Sequence, residues 1–448
     1  MKKLKIYSSQ FNYQYGNSIH FPYSIASLFA YIKSFPELDK QLQFEKTFIF
    51  RNKLDEYVDK IEDPDILLCS CYVWNWEITN MLAKRVKEKY PDCKVIYGGP
   101  QVPLRYEGNV PTGWVENSTG NFFKDYPHVD VLVHQEGEYT IKDLFEKIVN
   151  NELITEVGGI ETADFRTLAQ DRIWDLDTLP SPYLTDLVWD LVEPVEGVEY
   201  IAAWETNRGC PFQCTFCDWG SATKTKVRKW DMDKLFEEIE WFADRIRPAW
   251  TKSSSDKVIP VAKELLDADL LRAVTLAVQS LDPTTLQVIK RRNIKFDKFG
   301  ELVHKFRNEK IENYTELIMG MPGETLESYK VGLEQLMELF PRPVVFIYNC
   351  GVFVNAPMNE PNYAKKYDIQ TIKSPIYLWH SSVHNRGEIP EYEDTIVSTN
   401  TFNLDELKEM YVYGWFMQAF HSLGITQYLS KFYNQVYDLK YIDFYTSF

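Results

Sequence analysis

The first 150 residues alternate between two hydrophobic patterns. LKIYS (4–8) and DILLCSCYV (65–73) are nearly continuous apolar runs, as expected of strands buried on both faces. KVIYGG (94–99) and VDVLVHQEG (129–137) read as further strands. Between them, PYSIASLFAYIKS (22–34), EITNMLAKRVKEKY (77–90) and YTIKDLFEKIV (139–149) place apolar residues at helical spacing, and Pro22 suits the first position of the first helix. Strand–helix alternation predicts an α/β domain over 1–150, built on a mostly parallel, doubly wound sheet. Residues 151–195 include LDTLPSPYL (176–184) and carry neither period, so they predict an extended linker.

The alternation resumes over 196–380. IAAWE (201–205) is a strand, and MDKLFEEIEWFADRI (232–246) is an amphipathic helix. Met232, Leu235, Phe236, Ile239, Phe242 and Ile246 share one face of that helix, behind Asp231 as its N-cap. AVTLAVQS (273–280), YTELIMGMPGET (314–325) and VVFIYNCGVFVNAPM (344–358) supply three more strands with their turns. Strands that each feed a helix predict a (β/α) barrel, with its site at the strand C-terminal ends. Residues 381–448 predict a helical segment. Its longest stretch, 403–424, has Asn403 as cap and Gly424 as stop, and would cover the barrel mouth or pack on its flank. His421 in that stretch reads as a core or surface histidine.

Composition narrows the classes. A chain of 448 residues at ~150 per domain suggests about three domains. The 45% hydrophobic content supports a buried core and excludes global disorder. A net charge of −16 argues against a nucleic-acid surface. No run approaches the ~20 apolar residues that span a bilayer, and the N-terminus lacks an apolar secretion signal, so the expectation is a cytoplasmic protein away from membranes. Seven cysteines are too few for a disulfide-dense secreted domain.

Three of those cysteines crowd into WETNRGCPFQCTFCDW (204–219), spaced Cys210-x-x-x-Cys214-x-x-Cys217. A cubane [4Fe-4S] cluster usually takes four thiolates, so three on one loop leave one iron open. A structural zinc site would need a fourth ligand, but no histidine is near and the next cysteine is Cys350. A redox C-x-x-C pair would leave Cys210 without a role. Cys69 and Cys71 alternate on a buried strand and read as core thiols.

With Phe216 before its last cysteine, this loop resembles that of the radical S-adenosylmethionine (SAM) enzymes. VQSLD (278–282), ELIMGMPGET (316–325) and VNAPMNEPNY (354–363) are similar to strand motifs of the cobalamin-dependent branch of that family. SCYVWN (70–75), YGGPQVP (97–103) and QEGEYT (135–140) resemble the cobalamin-binding domain that precedes many such barrels. The resemblance implies an N-terminal Rossmann-like cobalamin domain, a partial radical SAM barrel and three cofactors: the cluster, S-adenosylmethionine and cobalamin. Cys210, Cys214 and Cys217 would hold the cluster, whose open iron S-adenosylmethionine chelates before it is cleaved to a 5′-deoxyadenosyl radical. Phe216 would pack beside cluster and adenine. Gln279 and Ser280 would contact the ribose or methionine end, and Ile318, Gly320 and Gly323 the adenine. Ser70, Tyr72, Trp74, Gly98, Gly99, Gln101 and Gly137 would line cobalamin; the paired glycines also read as a plain tight turn.

The implied reaction is methyl transfer to an unactivated carbon or phosphorus centre of a small-molecule or peptide substrate. The radical would abstract a hydrogen, and methylcobalamin, remethylated by a second S-adenosylmethionine, would deliver the methyl group. Flavodoxin or ferredoxin would supply the electron. Radical cyclisation or oxidation without methylation, and a silent iron–sulfur or cobalamin sensor, are the rival readings. The chain departs from the family in two places. It has no Asp-x-His-x-x-Gly motif, and His20 has no Asp two residues before it, so a His ligand from that motif below cobalt is not expected. Only 26 residues (247–272) separate the first barrel helix from the strand at 273, where the family places two further strand–helix units, each of about 20 or more residues. They hold RPAWTKSSSDK and one helix, 258–268, with three serines and Asp256 as caps. The expectation is a five-strand barrel lacking one unit, the second, with a gap beside the cluster and weakened cofactor binding.

Overall fold

The computed structural model describes residues 2–104, 121–210, 212–218, 226–249, 259–271, 273–339, 344–376 and 389–447. The first strand, β1 (Leu4–Asn12), is followed by a short hairpin, β2 (Gln14–Tyr15) and β3 (Ser18–His20). Then come β4 (Leu42–Phe50), β5 (Ile66–Ser70), β6 (Lys94–Gly98), β7 (Val131–Val133) and β8 (Ile160–Glu161). Six of these form one sheet in the order β4-β1-β5-β6-β7-β8. Every ladder in it is parallel except the last, β7 with β8. All five residues of β5 are buried, as its unbroken apolar run predicted. Helices Tyr23–Lys33, Trp76–Lys89 and Gly137–Val149 fall where the helical periodicity placed them. Part of the expected linker is therefore built into this sheet, as its antiparallel edge β8.

The chain runs outward from β1 to β4, then returns to β5 on the other side of β1. Such a reversal opens a crevice beyond the carboxyl ends of the strands. The hairpin does not stay with this sheet. Strand β3 pairs in parallel with β9 (Glu199–Ala203), so residues 14–20 belong structurally to the second half of the chain. A local pattern cannot show this, because the pairing partner lies about 180 residues away.

After β9 come the small ladder of β10 (Asn207–Arg208) and β11 (Arg228–Lys229), helix Met232–Ala243, and β12 (Arg247–Ala249). Asp231 caps that helix, its side chain accepting from the Asp233 N–H. Strand β12, inside the RPAWTKSSSDK stretch, pairs in parallel with β9. Helix Ile259–Asp267 follows; the serine caps expected before it lie outside the described residues. Strands β13 (Val274–Gln279), β14 (Asn313–Met319) and β15 (Val345–Asn349) form a separate parallel sheet. Among the described residues, the five strands that alternate with helices thus lie in two sheets, with no ladder joining β12 to β13.

The expectation that 381–448 is helical holds only from Leu404 onward. Strand β18 (Tyr392–Ser398) lies between β16 (Gly351–Val352) and β17 (Gln370–Pro375) in an antiparallel sheet. From there Asn403 and Glu406 form a capping box on helix Leu404–Trp415, which continues as a π-helical turn over Phe416–Ser422. This segment packs on helix Leu326–Leu339, and Gln418 donates to the Val345 carbonyl at 3.1 Å. His421 is buried, with Nδ1 at 3.1 Å from the Tyr445 hydroxyl and 3.2 Å from that of Ser430, and burial lowers its pKa to about 4.

Candidate active site

The three-cysteine loop lies between two cavities. One, of about 700 Å³, opens at the ends of β5, β6 and β7 and is lined by Ser70, Gly98, Gly99 and Gly137 together with Cys210. The other, of about 810 Å³, is lined by Phe216 and Cys217, by Gln279 and Ile318, and by Trp74 and Gln101. Tyr72 and Pro100 line both. The residues expected around cobalamin therefore divide: five face the first cavity, and Trp74 and Gln101 face the second with three of the six expected around S-adenosylmethionine, Phe216, Gln279 and Ile318.

The wall between the cavities is stiff. Tyr72 stacks on Trp74 with ring centroids 4.3 Å apart, and its hydroxyl is 2.7 Å from that of Ser24. Asn75 Oδ1 accepts from the Tyr72 N–H, and its Nδ2 donates to the carbonyls of Phe11 and Ser70. Gly99 has φ of +103°, and a Cβ there would lie 2.6 Å from the Cys71 carbonyl oxygen. The tight-turn reading of Gly99 is thus sound, while both glycines still face the cavity.

Charge at the first cavity is balanced by pairs far apart in sequence. Arg208, two residues before Cys210, donates to Glu138 at 2.6 Å and to Glu205 at 3.0 Å, and its guanidinium lies over the Trp230 ring. Glu138 also accepts from Ser27. Glu136 pairs with Arg228. Burial pushes the Glu205 carboxyl up despite Arg208. None of these pairings was legible in the sequence, since each partner alone reads as a surface charge. His20, set aside in the sequence for lack of an Asp partner, lines this cavity, with its ring edge-on to Tyr15 at 5.7 Å.

In the second cavity Gln279 stands out. It is 2% exposed, has φ of +64°, and its Oε1 has no hydrogen-bond partner among the described residues. The β13–β14 register shifts between Ala277 and Gln279, at the residue whose φ is positive. Strain and an orphaned acceptor at a cavity wall point to a ligand that donates there. Three other candidates line neither cavity. The Ser280 hydroxyl accepts from the Asp282 N–H. Gly320 (φ +81°) donates to Glu324, and Gly323 (φ +92°) would place a Cβ 2.9 Å from Val288. The loop of these two glycines follows turn geometry.

Cys210, Cys214 and Cys217 form no disulfide among the described residues, and burial pushes the Cys214 thiol up against the pull of Arg291, whose Nη1 is 3.9 Å from its sulfur. Among the described residues, no three His, Cys, Asp or Glu side chains converge on one metal-ion point. A cubane takes each thiolate on a different iron, so three cysteines on one loop fit it without such convergence. Arg291 is a partner the sequence reading missed. Its other nitrogens bond the Asn293 side chain and the Ala277 carbonyl, which hold the guanidinium against the loop.

No protein-family model matches the chain. It is 32% identical over 92% of its length to the cobalamin-dependent radical SAM methyltransferase TokK of Streptomyces tokunonensis, covering 66% of that protein. The chain thus spans about two thirds of the length of such relatives. In structure it is similar to the radical SAM methyltransferase TsrM of Kitasatospora setae with cobalamin and iron–sulfur cluster bound. For the form of TsrM with tryptophan and a SAM analogue, the TM-score is 0.61 at 15% identity, covering 91% of this chain and 87% of that one, a likeness of fold. A second sequence relative, 2-(S-pantetheinyl)-carbapenam-3-carboxylate methyltransferase of Streptantibioticus cattleyicolor, is 31% identical over 96% of this chain and 67% of its own, and on that extent of shared sequence the chain belongs to the cobalamin-dependent radical SAM methyltransferases.

Proposed function

We propose that this protein transfers a methyl group to an unactivated carbon of a small molecule, with cobalamin in the first cavity and S-adenosylmethionine and substrate in the second. The observation that carries this reading is the position of the cysteine loop, with Cys210 on one cavity and Cys217 on the other. When bound, the cluster and S-adenosylmethionine supply a carbon radical and cobalamin supplies a transferable methyl group. The protein's own part is placement. Gln279 offers an acceptor to a donor group of the bound cofactor, and Phe216 and Ile318 give it an apolar wall. The Tyr72–Trp74 stack separates the two ligands while leaving them adjacent. The Arg208 network anchors the helix at Gly137 to the strand entering the cysteine loop.

The finer fold belongs to the same proposal: a cobalamin-binding domain, then a radical SAM barrel of β9, β12, β13, β14 and β15 that lacks one strand–helix unit. That no ladder joins β12 to β13 among the described residues supports it. Such a missing unit would leave S-adenosylmethionine held by fewer groups and raise the concentration needed to saturate it.

Anaerobic reconstitution followed by mass spectrometry tests the function. With reductant, S-adenosylmethionine and methylcobalamin, the protein yields 5′-deoxyadenosine. The carbapenam substrate named for the Streptantibioticus relative is the first methyl acceptor to try. Absence of 5′-deoxyadenosine at saturating cofactor would count against an enzyme and for a sensor. 5′-Deoxyadenosine with an oxidised, unmethylated product would favour the cyclase-like reading.

A further inference from the structure

We propose that Asn355 is a positioning residue that sets the spacing between the two cofactor loops. It lies after β16, in VNAPMNEPNY, outside every site candidate read from the sequence. Its side chain is spent on one segment of the first domain. Oδ1 accepts from the Leu104 N–H at 2.7 Å, and Nδ2 donates to the carbonyls of Pro100 at 2.8 Å and Val102 at 2.9 Å. Its backbone N–H donates to Asp218 Oδ2 at 3.1 Å, and Asp218 is the residue after Cys217. One residue thus joins the Gly-Gly-Pro loop, which walls both cavities at Pro100, to the loop of the cluster cysteines.

The chemistry of the side chain matters. A short amide donates twice and accepts once in one plane, which is the demand of two carbonyls and one N–H. A carboxylate of the same shape can accept from Leu104 but donates to neither carbonyl. The Pro100 loop is also held to its own sheet, by the Gln101 N–H to the Cys71 carbonyl and the Val102 N–H to the Gly99 carbonyl. Those bonds fix its shape, and Asn355 fixes where that shape sits relative to Cys217. Group transfer between two bound partners is sensitive to displacements of about 1 Å, so a tie across this gap bears on the reaction.

This inference rests on the two-cavity reading above, and the test separates the two. Amide hydrogen exchange on the cofactor-free protein reads the tie alone. Exchange at Leu104 accelerates about tenfold or more in Asn355→Ala and stays slow in Asn355→Asp. Unchanged exchange in Asn355→Ala overturns the tie whatever the cofactors do. In the loaded protein, the relaxation of Co(II) cobalamin by the reduced cluster, read by electron paramagnetic resonance, reports their spacing. It changes about twofold or more in both variants while iron and cobalamin contents stay at wild-type values. Unchanged relaxation in both, or loss of relaxation only in step with loss of a cofactor, overturns the positioning role. If the Asn355 variants do not fold, the pair Asp218→Asn and Asp218→Ala decides. Asparagine keeps an acceptor for the Asn355 N–H and retains wild-type relaxation, alanine does not, and equal behaviour of the two overturns the proposal. A wild-type protein that takes up no cobalamin defeats the two-cavity reading, and the exchange result still judges the tie.

Discussion

At the scale of single residues, the chemistry lies where side chains meet demands their neighbours leave open. The three cysteines are such a case: protein handled without oxygen is expected to hold about four irons, and replacing all three with alanine is expected to abolish both the iron and the cluster absorbance. Iron retained in the triple variant would sink the assignment. Their spacing was legible because the loop is local. Gln279 was also legible as a strand-end residue, but its positive φ and orphaned oxygen, at the register shift against β14, were not. Glu324 was not legible. Burial raises its carboxyl pKa to about 8 from an ordinary 4.5, while it accepts from the Gly320 N–H. Between those two values the unfolded chain ionises Glu324 and the folded chain keeps its proton. Its contribution to stability is therefore complete below about 4.5 and lost as pH rises toward 8. Glu324→Gln keeps an acceptor for Gly320 and cannot ionise. Its stability relative to wild type is expected to rise by on the order of 1–3 kcal/mol between pH 5 and 8.5 in urea titrations. A flat difference across that range would show that Glu324 does not titrate there.

At the scale of elements, capping was read correctly where it is local and missed where it is not. Asp231 and Asn403 cap helices that follow them directly. Helix Trp76–Lys89 takes its N-terminal acceptor from the far end of the chain. Glu391, fully buried, accepts from the N–H groups of Glu77 at 2.7 Å and Ile78 at 3.1 Å. It pairs with Arg51 at 2.9 Å, and Arg51 also donates to the Trp74 carbonyl and lies over the Tyr13 ring. This contact docks the sheet of β16, β17 and β18 on the first domain. Removing one partner strands the other charge, so Arg51→Ala or Glu391→Ala is expected to lower unfolding stability by roughly 3–5 kcal/mol. The double variant should cost less than the sum of the two, read by denaturant titration. Additive losses would mean the pair does not act as a unit. In the sequence Glu391 sits among ordinary charges of a segment read as helical, and nothing local marks the helix it caps.

At the scale of the molecule, the proposed function depends on two cavities that share a wall, and neither cavity is a property of one segment. The first draws on the ends of β5, β6 and β7 and on the loop at Cys210. With no Asp-x-His-x-x-Gly motif, and with the His20 ring packed against Tyr15, bound Co(II) cobalamin is expected to lack nitrogen splitting from a protein imidazole in its electron paramagnetic resonance spectrum. Splitting that disappears in His20→Ala would place His20 on cobalt and overturn this. No helix among the described residues is long and apolar enough to cross a membrane.

What the sequence determined by itself was whatever depends on neighbours a few residues apart. Helical and extended periods located β1, β5, β6, β7, β9, β13, β14 and β15 and the longer helices, because burial of one face repeats with the backbone's own period, but they did not locate β4. Cysteine spacing pointed to the metal chemistry, because one loop carries all three proposed ligands. Tertiary structure alone decided what depends on closure over long separations. It placed the hairpin at residues 14–20 beside β9, the strand Tyr392–Ser398 against β16 and β17, and Trp74 and Gln101 on the second cavity instead of the first. It also chose Glu138 for Arg208 and Pro100 for Asn355. The physical reason is that a polar side chain carries the same signature whether it faces water or a buried partner, and only the packed chain removes the water.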